Sequence, residues 1–370
     1  LTAAGADVRV LTRPGYPWDR KDWLQQPSPL PDSIDDVVYR HAKSPSSFKP
    51  LLLYLVLAAR VIARYARESR VACIHAASNH RNALPALLAA KRLGIPFYYE
   101  MRGLWEYSRL SYRPQLEGTA PFRFGLAYEG LVADKADKVH VISGQLARYA
   151  RERWGIPERK MGLLPNCVDP DVIVPGQDSD VEKNTIGYAG SLVPYEGLDV
   201  LVDAVGILLR RGISVKVKVI GDGDMRQKLE EQVEGLGLGG AVSFLGRMAP
   251  DRARAELAKS SLVCLPRKPL RVCEMIPPIK LVEALAMAKP VIVSDLPVLR
   301  DELGPEQCGR VFKAGDPVAL SKEIALMLEK TGEMRELGRR AREYVLSHRT
   351  WSIYADGIVK NTAPAARGSG

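Results

Sequence analysis

From residue 8 onward, short apolar runs alternate with longer segments whose apolar residues recur every three or four positions. The runs at 8–12, 37–41, 71–75, 96–101, 138–143 and 160–165 predict strands, and the segments at 48–67, 82–93, 122–135 and 145–154 predict helices. A second series follows. It places strands at 185–190, 215–220, 241–244, 262–266 and 310–312, helices at 198–211, 224–234 and 251–259, and further helices across 317–347. Short apolar strands that alternate with helices predict parallel sheets covered on both faces. Between the two series, Pro165, Pro170, Pro175 and Gly176 stand among acidic residues and no period survives. The expected organisation is therefore a first doubly wound α/β domain over 1–166, a linker over 167–184, and a second over 185–348.

The stretch that stands out is 273–295. It reads as a loop closed by Pro277 and Pro278, then a short helix whose first turn carries Lys280 and Glu283, then a buried strand starting at Pro290. At the start of the chain, Leu1 to Gly5 has the pattern of a helix end capped by glycine. With Leu rather than Met at position 1, an upstream strand and most of a helix are expected to precede it. The Gly/Ser/Pro/Ala-rich segment 363–370 is expected to fray.

Composition narrows this picture only a little. A chain of 370 residues with 46% hydrophobic content exceeds one ordinary core and suits two. A formal charge of +10 is compatible with nucleic acid, an anionic membrane surface or a phosphate-bearing small substrate. The basic residues are spread among acidic ones along the helices, without a tract interleaved with aromatics, which argues against nucleic acid. Cys73, Cys167, Cys264, Cys273 and Cys308 are widely spaced, without zinc-site spacing, and read as buried thiols of a reducing compartment. The most apolar run, 51–59, is too short to cross a bilayer and continues into Arg60, Arg64 and Arg67. A buried helix with a basic flank is the plainer reading of it, and an interfacial membrane helix the alternative.

Ligands of open parallel sheets bind beyond the carboxyl ends of the strands, so the loops there carry the candidate chemistry. In the second domain these are Gly190 to Gly197, Gly221 to Asp224, Gly246 to Met248, and Pro266 to Pro278. Glycines at such positions let backbone N–H groups approach a phosphate. Arg267, Lys268, Arg271 and Lys280 cluster at one loop and helix start and could neutralise a diphosphate, although a merely solvated basic loop has the same composition. Glu283, near a helix N-terminus, could accept hydrogen bonds from vicinal hydroxyls or be a plain terminal charge.

The run from Glu283 to Asp295 resembles the Glu-Ala-Met-Ala-x-Gly-x-Pro-Val-Val-x-Ser-Asp signature of family 4 glycosyltransferases. Leu164 to Asp169 is similar to that family's Pro-Asn-Gly-Val-Asp segment, and Gly187 to Leu201 to its Gly-x-Leu-x-x-x-Lys-Gly-x-x-x-Leu loop. Val219 to Gly223 and Phe244 to Arg247 match as well. The resemblance implies a GT-B fold, with two Rossmann-like domains facing a cleft. It also implies a metal-independent, cofactor-free, retaining transfer of a sugar from a nucleotide-sugar to an acceptor hydroxyl. By that analogy Glu283 holds the donor ribose, Gly246, Arg247 and Met248 border the base, and Gly190, Ser191 and Gly221 approach the diphosphate. Thr350 to Tyr354 resembles the segment that returns to the first domain, which brings 350–362 with it.

The chain departs from that pattern in two places. Ser191 and Glu196 stand where the family usually has Arg and Lys. The first Glu of the family's Glu-x7-Glu pair would fall at Met275, with Glu274 one residue off. Diphosphate charge is therefore expected from Arg267, Arg271 and Lys280, with Lys280 as a catalytic cation. A subgroup linked to bacterial exopolysaccharide assembly has a similar Gly-Ser-x-x-x-Tyr-Glu-Gly-Leu-Asp loop, which implies a cytoplasmic enzyme working at the inner face of a membrane on a glycan, lipid-linked or small acceptor. In the first domain Arg102 occupies the place of a cleft-facing His in many relatives and is expected to contact phosphate or acceptor; the alternative is a structural Arg paired with Glu100 or Glu106. His75, Asn79 and His80 follow a strand and are the acceptor-side candidates. Two other readings remain open, a GT-B nucleotide-sugar epimerase and a basic nucleotide-binding protein without transferase activity.

Overall fold

The computed structural model describes residues 1–19, 32–305 and 307–362; the segment 363–370 lies outside the described residues. Its contacts divide the chain into two units, one of Leu1–Glu106, Gln115–Leu164 and Ser352–Gly370, the other of Tyr107–Pro114 and Pro165–Trp351.

The first unit contains β1 (Arg9–Leu11), β2 (Ser33–Ile34), β3 (Val37–Arg40), α1 (Leu51–Glu68), β4 (Ile74–Ala77), α2 (His80–Leu93) and β5 (Phe97–Met101). After α3 (Trp105–Leu110), which straddles the division, come α4 (Ala120–Lys135), β6 (Lys138–Val141), α5 (Gly144–Trp154) and β7 (Met161–Leu163). Strands β4 to β7 form one parallel sheet in chain order, while β1, β3 and β2 form a separate small sheet. The expected single sheet is thus two, and residues of β1 and β4 line a cavity of about 300 Å³.

Helix α1 corrects one expectation. Only the face with Tyr54, Leu55, Ala58, Ala63 and Ala66 is buried, and Phe48, Leu52, Leu53 and Val56 are exposed. Among the described residues no helix is long and apolar enough to cross a membrane.

The second unit runs β8 (Glu182–Ala189), α6 (Leu198–Arg210), β9 (Lys216–Ile220), α7 (Arg226–Gly235), β10 (Val242–Gly246), α8 (Pro250–Ala258), β11 (Ser260–Leu265), α9 (Arg271–Met275), α10 (Ile279–Ala286), β12 (Val291–Ser294), α11 (Pro297–Glu302), β13 (Arg310–Phe312), α12 (Pro317–Glu329) and α13 (Thr331–His348). A last helix, α14 (Trp351–Thr362), follows. The six strands are all parallel, in the order β10-β9-β8-β11-β12-β13. This is the doubly wound order, with its reversal between β8 and β11. Strand side chains alternate between faces. Ile186, Tyr188, Val217, Val219, Leu262 and Cys264 pack into one core, and Val263, Leu265, Val291 and Val293 into the other with Leu281, Val282 and Leu285 of α10. The linker region is partly ordered, because Val168 bridges to Thr350 in parallel. All five cysteines are free thiols, buried except for the half-buried Cys73.

A buried imidazole gives the first unit a pH dependence. His140 on β6 is 3% exposed and its ring lies 5.4 Å from that of His75. Burial, helped by His75, pushes it down to about 4. An unfolded histidine titrates near 6.5, so between these values the unfolded chain binds more protons, and stability falls as pH drops through that window. The expected loss between pH 7 and pH 4 is on the order of 2–3 kcal/mol for the unit. It is read as unfolding midpoint against pH; His140→Gln should flatten the slope, and an unchanged slope would remove the effect.

Candidate functional site

Four loops of the second unit meet at the carboxyl edge of its sheet through their backbones. Gly190 N–H donates to Ile220 O at 2.9 Å, Gly221 N–H to Gly246 O at 2.9 Å, Leu192 N–H to Asp222 O at 3.0 Å, and Lys268 N–H to Tyr195 O at 3.0 Å. The approach requires glycine. At Gly221, with φ +135°, a Cβ would stand 1.9 Å from Gly190 O. At Gly190, with φ +156°, it would stand 2.6 Å from Lys280 Nζ, so the bare backbone and the ammonium share one spot.

Lys280 reaches that spot from the first turn of α10. The turn before the helix is held by buried Asn166, whose Nδ2 donates to Pro277 O at 3.0 Å. The ammonium lies 2.9 Å from Glu196 Oε2 and donates to Tyr188 Oη at 2.8 Å, with the Tyr188 ring face 4.6 Å away. Burial pulls its pKa down and Glu196 opposes this, the net shift being downward. Glu196 itself is 3% exposed. Burial alone would raise its carboxyl, but Lys280 and Arg267 outweigh that and hold it below the ordinary carboxylate range.

Arg267 corrects the sequence-based expectation. It is 5% exposed. Its guanidinium donates to Glu196 Oε1 at 3.1 Å and to Ile276 O at 2.7 Å, and stands 5.3 Å from the centre of the Tyr195 ring. All of these contacts are internal, so its charge supports Glu196 rather than facing an incoming anion. Arg271 is also placed differently: it opens the short helix α9 where a loop was expected, is exposed, and lies 3.8 Å from Glu274. Lys268 pairs with Asp199.

Glu283 is half-buried one helical turn beyond Lys280, and among the described residues its carboxyl makes no hydrogen bond. Burial raises its pKa, against Arg254 and Lys280. Gly246, with φ +72°, ends β10, followed by exposed Arg247 and half-buried Met248. Ser191 is exposed and its carbonyl accepts from Tyr188 Oη at 3.0 Å. Lys280, Gly190, Gly221, Gly246 and Glu283 thus share one edge, with a fixed cation, close backbone and an open carboxylate that can accept hydroxyl donors.

The first-unit candidates prove more structural. Arg102 is exposed, with Nε 3.5 Å from Glu100 Oε1 and its backbone N–H donating to Ser78 Oγ at 3.0 Å. His75 lies 3.5 Å from Glu100 and beside His140. Asn79 caps α2 by accepting from Arg81 N–H at 3.1 Å. His80 is buried, its backbone N–H at 2.7 Å and its Nδ1 at 3.1 Å from Glu129 Oε1. Asn79 and His80 therefore hold the start of α2 rather than an open surface. What sequence did not bring together are Glu106 and Glu129, whose carboxylates and His80 lie within 4.8 Å of one another, with Tyr99 donating to Glu129. No spacing rule links residues so far apart in sequence.

Residues 171–344 match the family described as glycosyl transferases group 1, and residues 1–167 the glycosyl transferase 4-like domain. The chain is 23% identical over 302 residues to D-inositol 3-phosphate glycosyltransferase of Segniliparus rotundus, covering 76% of this chain and 64% of that relative. Among solved structures it resembles sucrose-phosphate synthase from Thermosynechococcus elongatus, with a TM-score of 0.76 at 20% identity, covering 97% of this chain and 89% of that one. It also resembles HepE from Anabaena in complex with UDP-glucose, with a TM-score of 0.70 at 17% identity, covering 96% of this chain and 98% of that one.

Proposed function

The chain belongs to the glycosyltransferases whose two halves match the group 1 and 4-like families, and on that premise we propose that it moves a sugar from a nucleotide-sugar to an acceptor hydroxyl with retention at the anomeric carbon. Its fold is GT-B, built from two Rossmann-like units. The observation that carries the reading is the convergence of the Lys280 ammonium with the bare Gly190 backbone, next to the uncommitted carboxylate of Glu283. In this reading Lys280 holds the diphosphate where the Gly190–Ser191 loop lets it come close, Glu283 accepts from the ribose hydroxyls, and Gly246 to Met248 border the base.

The bond from C1 to the phosphate oxygen breaks as the bond from C1 to the acceptor oxygen forms on the same face. The acceptor proton passes to the departing phosphate, so no enzyme nucleophile is required. Lys280 stabilises the charge that grows on that leaving group, where a preorganised cation contributes most. Arg102, exposed on the first unit, is the acceptor-side cation. A bacterial cell-surface or exopolysaccharide acceptor is supported by the Gly190 to Asp199 sequence, and peripheral contact with an anionic membrane by exposed Phe48, Leu52, Leu53 and Val56.

Thermal shift against UDP-, GDP- and ADP-sugars tests the donor class. One nucleotide series should stabilise the fold by about 2.7 kcal/mol at a hundredfold excess over its Kd and raise the melting temperature accordingly. No response to any of them would overturn the reading.

A further inference from the structure

A cavity of about 780 Å³ opens at the other edge of the second unit's sheet, beside the amino ends of β8, β11 and β12, and is closed by α13. That volume falls within the range of roughly 300–1,000 Å³ seen for small-molecule sites. Its floor is apolar, with Met334, Leu328 and Pro290, and its walls carry five cations against two carboxylates.

Among the described residues four of those cations lie within ion-pair distance of no carboxylate, and only Arg339 has one in reach. Lys289 is 5% exposed and donates only to backbone carbonyls, those of Ala258 and Ser260. Burial pushes it down to about 8, against an opposing pull from Asp178 on the same lining. Arg342 is likewise held by carbonyls alone, donating to Ala286 O at 2.7 Å, to Pro170 O at 3.0 Å and to Ile173 O. Lys183 and Arg335 are exposed on the lining. The fifth cation, Arg339, is paired with Glu336 and Glu343. Buried charges are ordinarily paired, so fixed cations coordinated only by carbonyls around an open space leave a positive potential that an anion would satisfy.

We propose that this cavity is a second binding site, distinct from the edge that carries Lys280, for a small phosphate monoester bearing an apolar group. A monoester carries about −1.5 to −2 charge at neutral pH, which offsets several cations where one carboxylate would not. Its oxygens suit the planar fork of exposed Arg335 and the Lys183 ammonium, and the apolar group covers Met334 and Leu328. The phosphate could belong to a soluble metabolite or to a lipid headgroup.

Calorimetric titration of the whole chain with 1-naphthyl phosphate tests the site. The ester should bind at least tenfold more tightly than 1-naphthol or inorganic phosphate alone. Replacing the two exposed cations, in the double variant Lys183→Ala with Arg335→Ala, should weaken binding at least tenfold with the melting temperature unchanged, and Lys280→Ala should leave binding intact. Phenyl phosphate and vesicles containing phosphatidic acid serve as competitors; displacement by either upholds the site and identifies the source, and displacement by neither overturns it. Equal binding by the double variant, or loss of binding in Lys280→Ala, would also overturn it.

Discussion

Glu196→Gln is expected to cost the second unit about 3–5 kcal/mol of stability, because it leaves two buried cations without their counter-charge. The carboxylate contacts Arg267 through Oε1 at 3.1 Å and Lys280 through Oε2 at 2.9 Å, and all three groups are largely removed from solvent. Gln keeps the shape and one acceptor but not the charge. Arg267 cannot discharge, so the strain falls on Lys280, whose pKa is already pulled down by burial and would fall further beside an unopposed guanidinium. Urea unfolding of the purified variant measures the cost. A loss below about 1 kcal/mol would mean that the triad is screened by water rather than enclosed.

Lys280→Ala is expected to keep the fold and lose function. Removing the ammonium leaves Glu196 with Arg267, still a matched pair, so the stability change should be small beside that of Glu196→Gln. Turnover with the nucleotide-sugar that gives the largest thermal shift should drop by about 10²–10³-fold, the size seen when one preorganised donor to a developing anion is removed. The fall should appear in kcat rather than in KM alone, since the charge it offsets grows along the reaction. Steady-state kinetics separates the two, and a variant within tenfold of wild type in kcat would take Lys280 out of the chemistry.

These two substitutions also mark where the sequence was legible and where it was not. The second unit could be read almost strand by strand, because β10 to β12 and the inner half of β8 are short, mainly apolar runs, and β9 alternates valine with lysine, each bounded by glycine, proline or a helical period. Lys280 and Glu283 were legible for a similar reason, as they lie on one helix behind a proline turn. Helix α9 was not, since the five residues Arg271–Met275 make little more than one turn and display no period. Arg267 and Glu196 were misread together. They are 71 positions apart, and only the packing of the loop after β8 against the loop after β11 turns an apparent surface cation and an apparently misplaced acid into one buried pair. His80 with Glu129, 49 positions apart, escaped for the same reason: periodicity reports which face a residue takes, not what meets it there. The exposed apolar start of α1 could not be foreseen from hydrophobicity alone, because the run is apolar on more faces than its neighbours cover.

The role of the edge at α10 is tested most directly by calorimetric titration of the nucleoside diphosphate matching the preferred donor into wild type and Glu283→Ala. Glu283 is half-buried, makes no hydrogen bond among the described residues, and sits one turn from Lys280. If it holds the ribose, removing it should weaken binding about tenfold or more, the equivalent of roughly 1.4 kcal/mol or above, while the melting temperature of the free protein stays within a degree or two. Equal affinity in the two proteins would contradict the assignment of this edge as the nucleotide site.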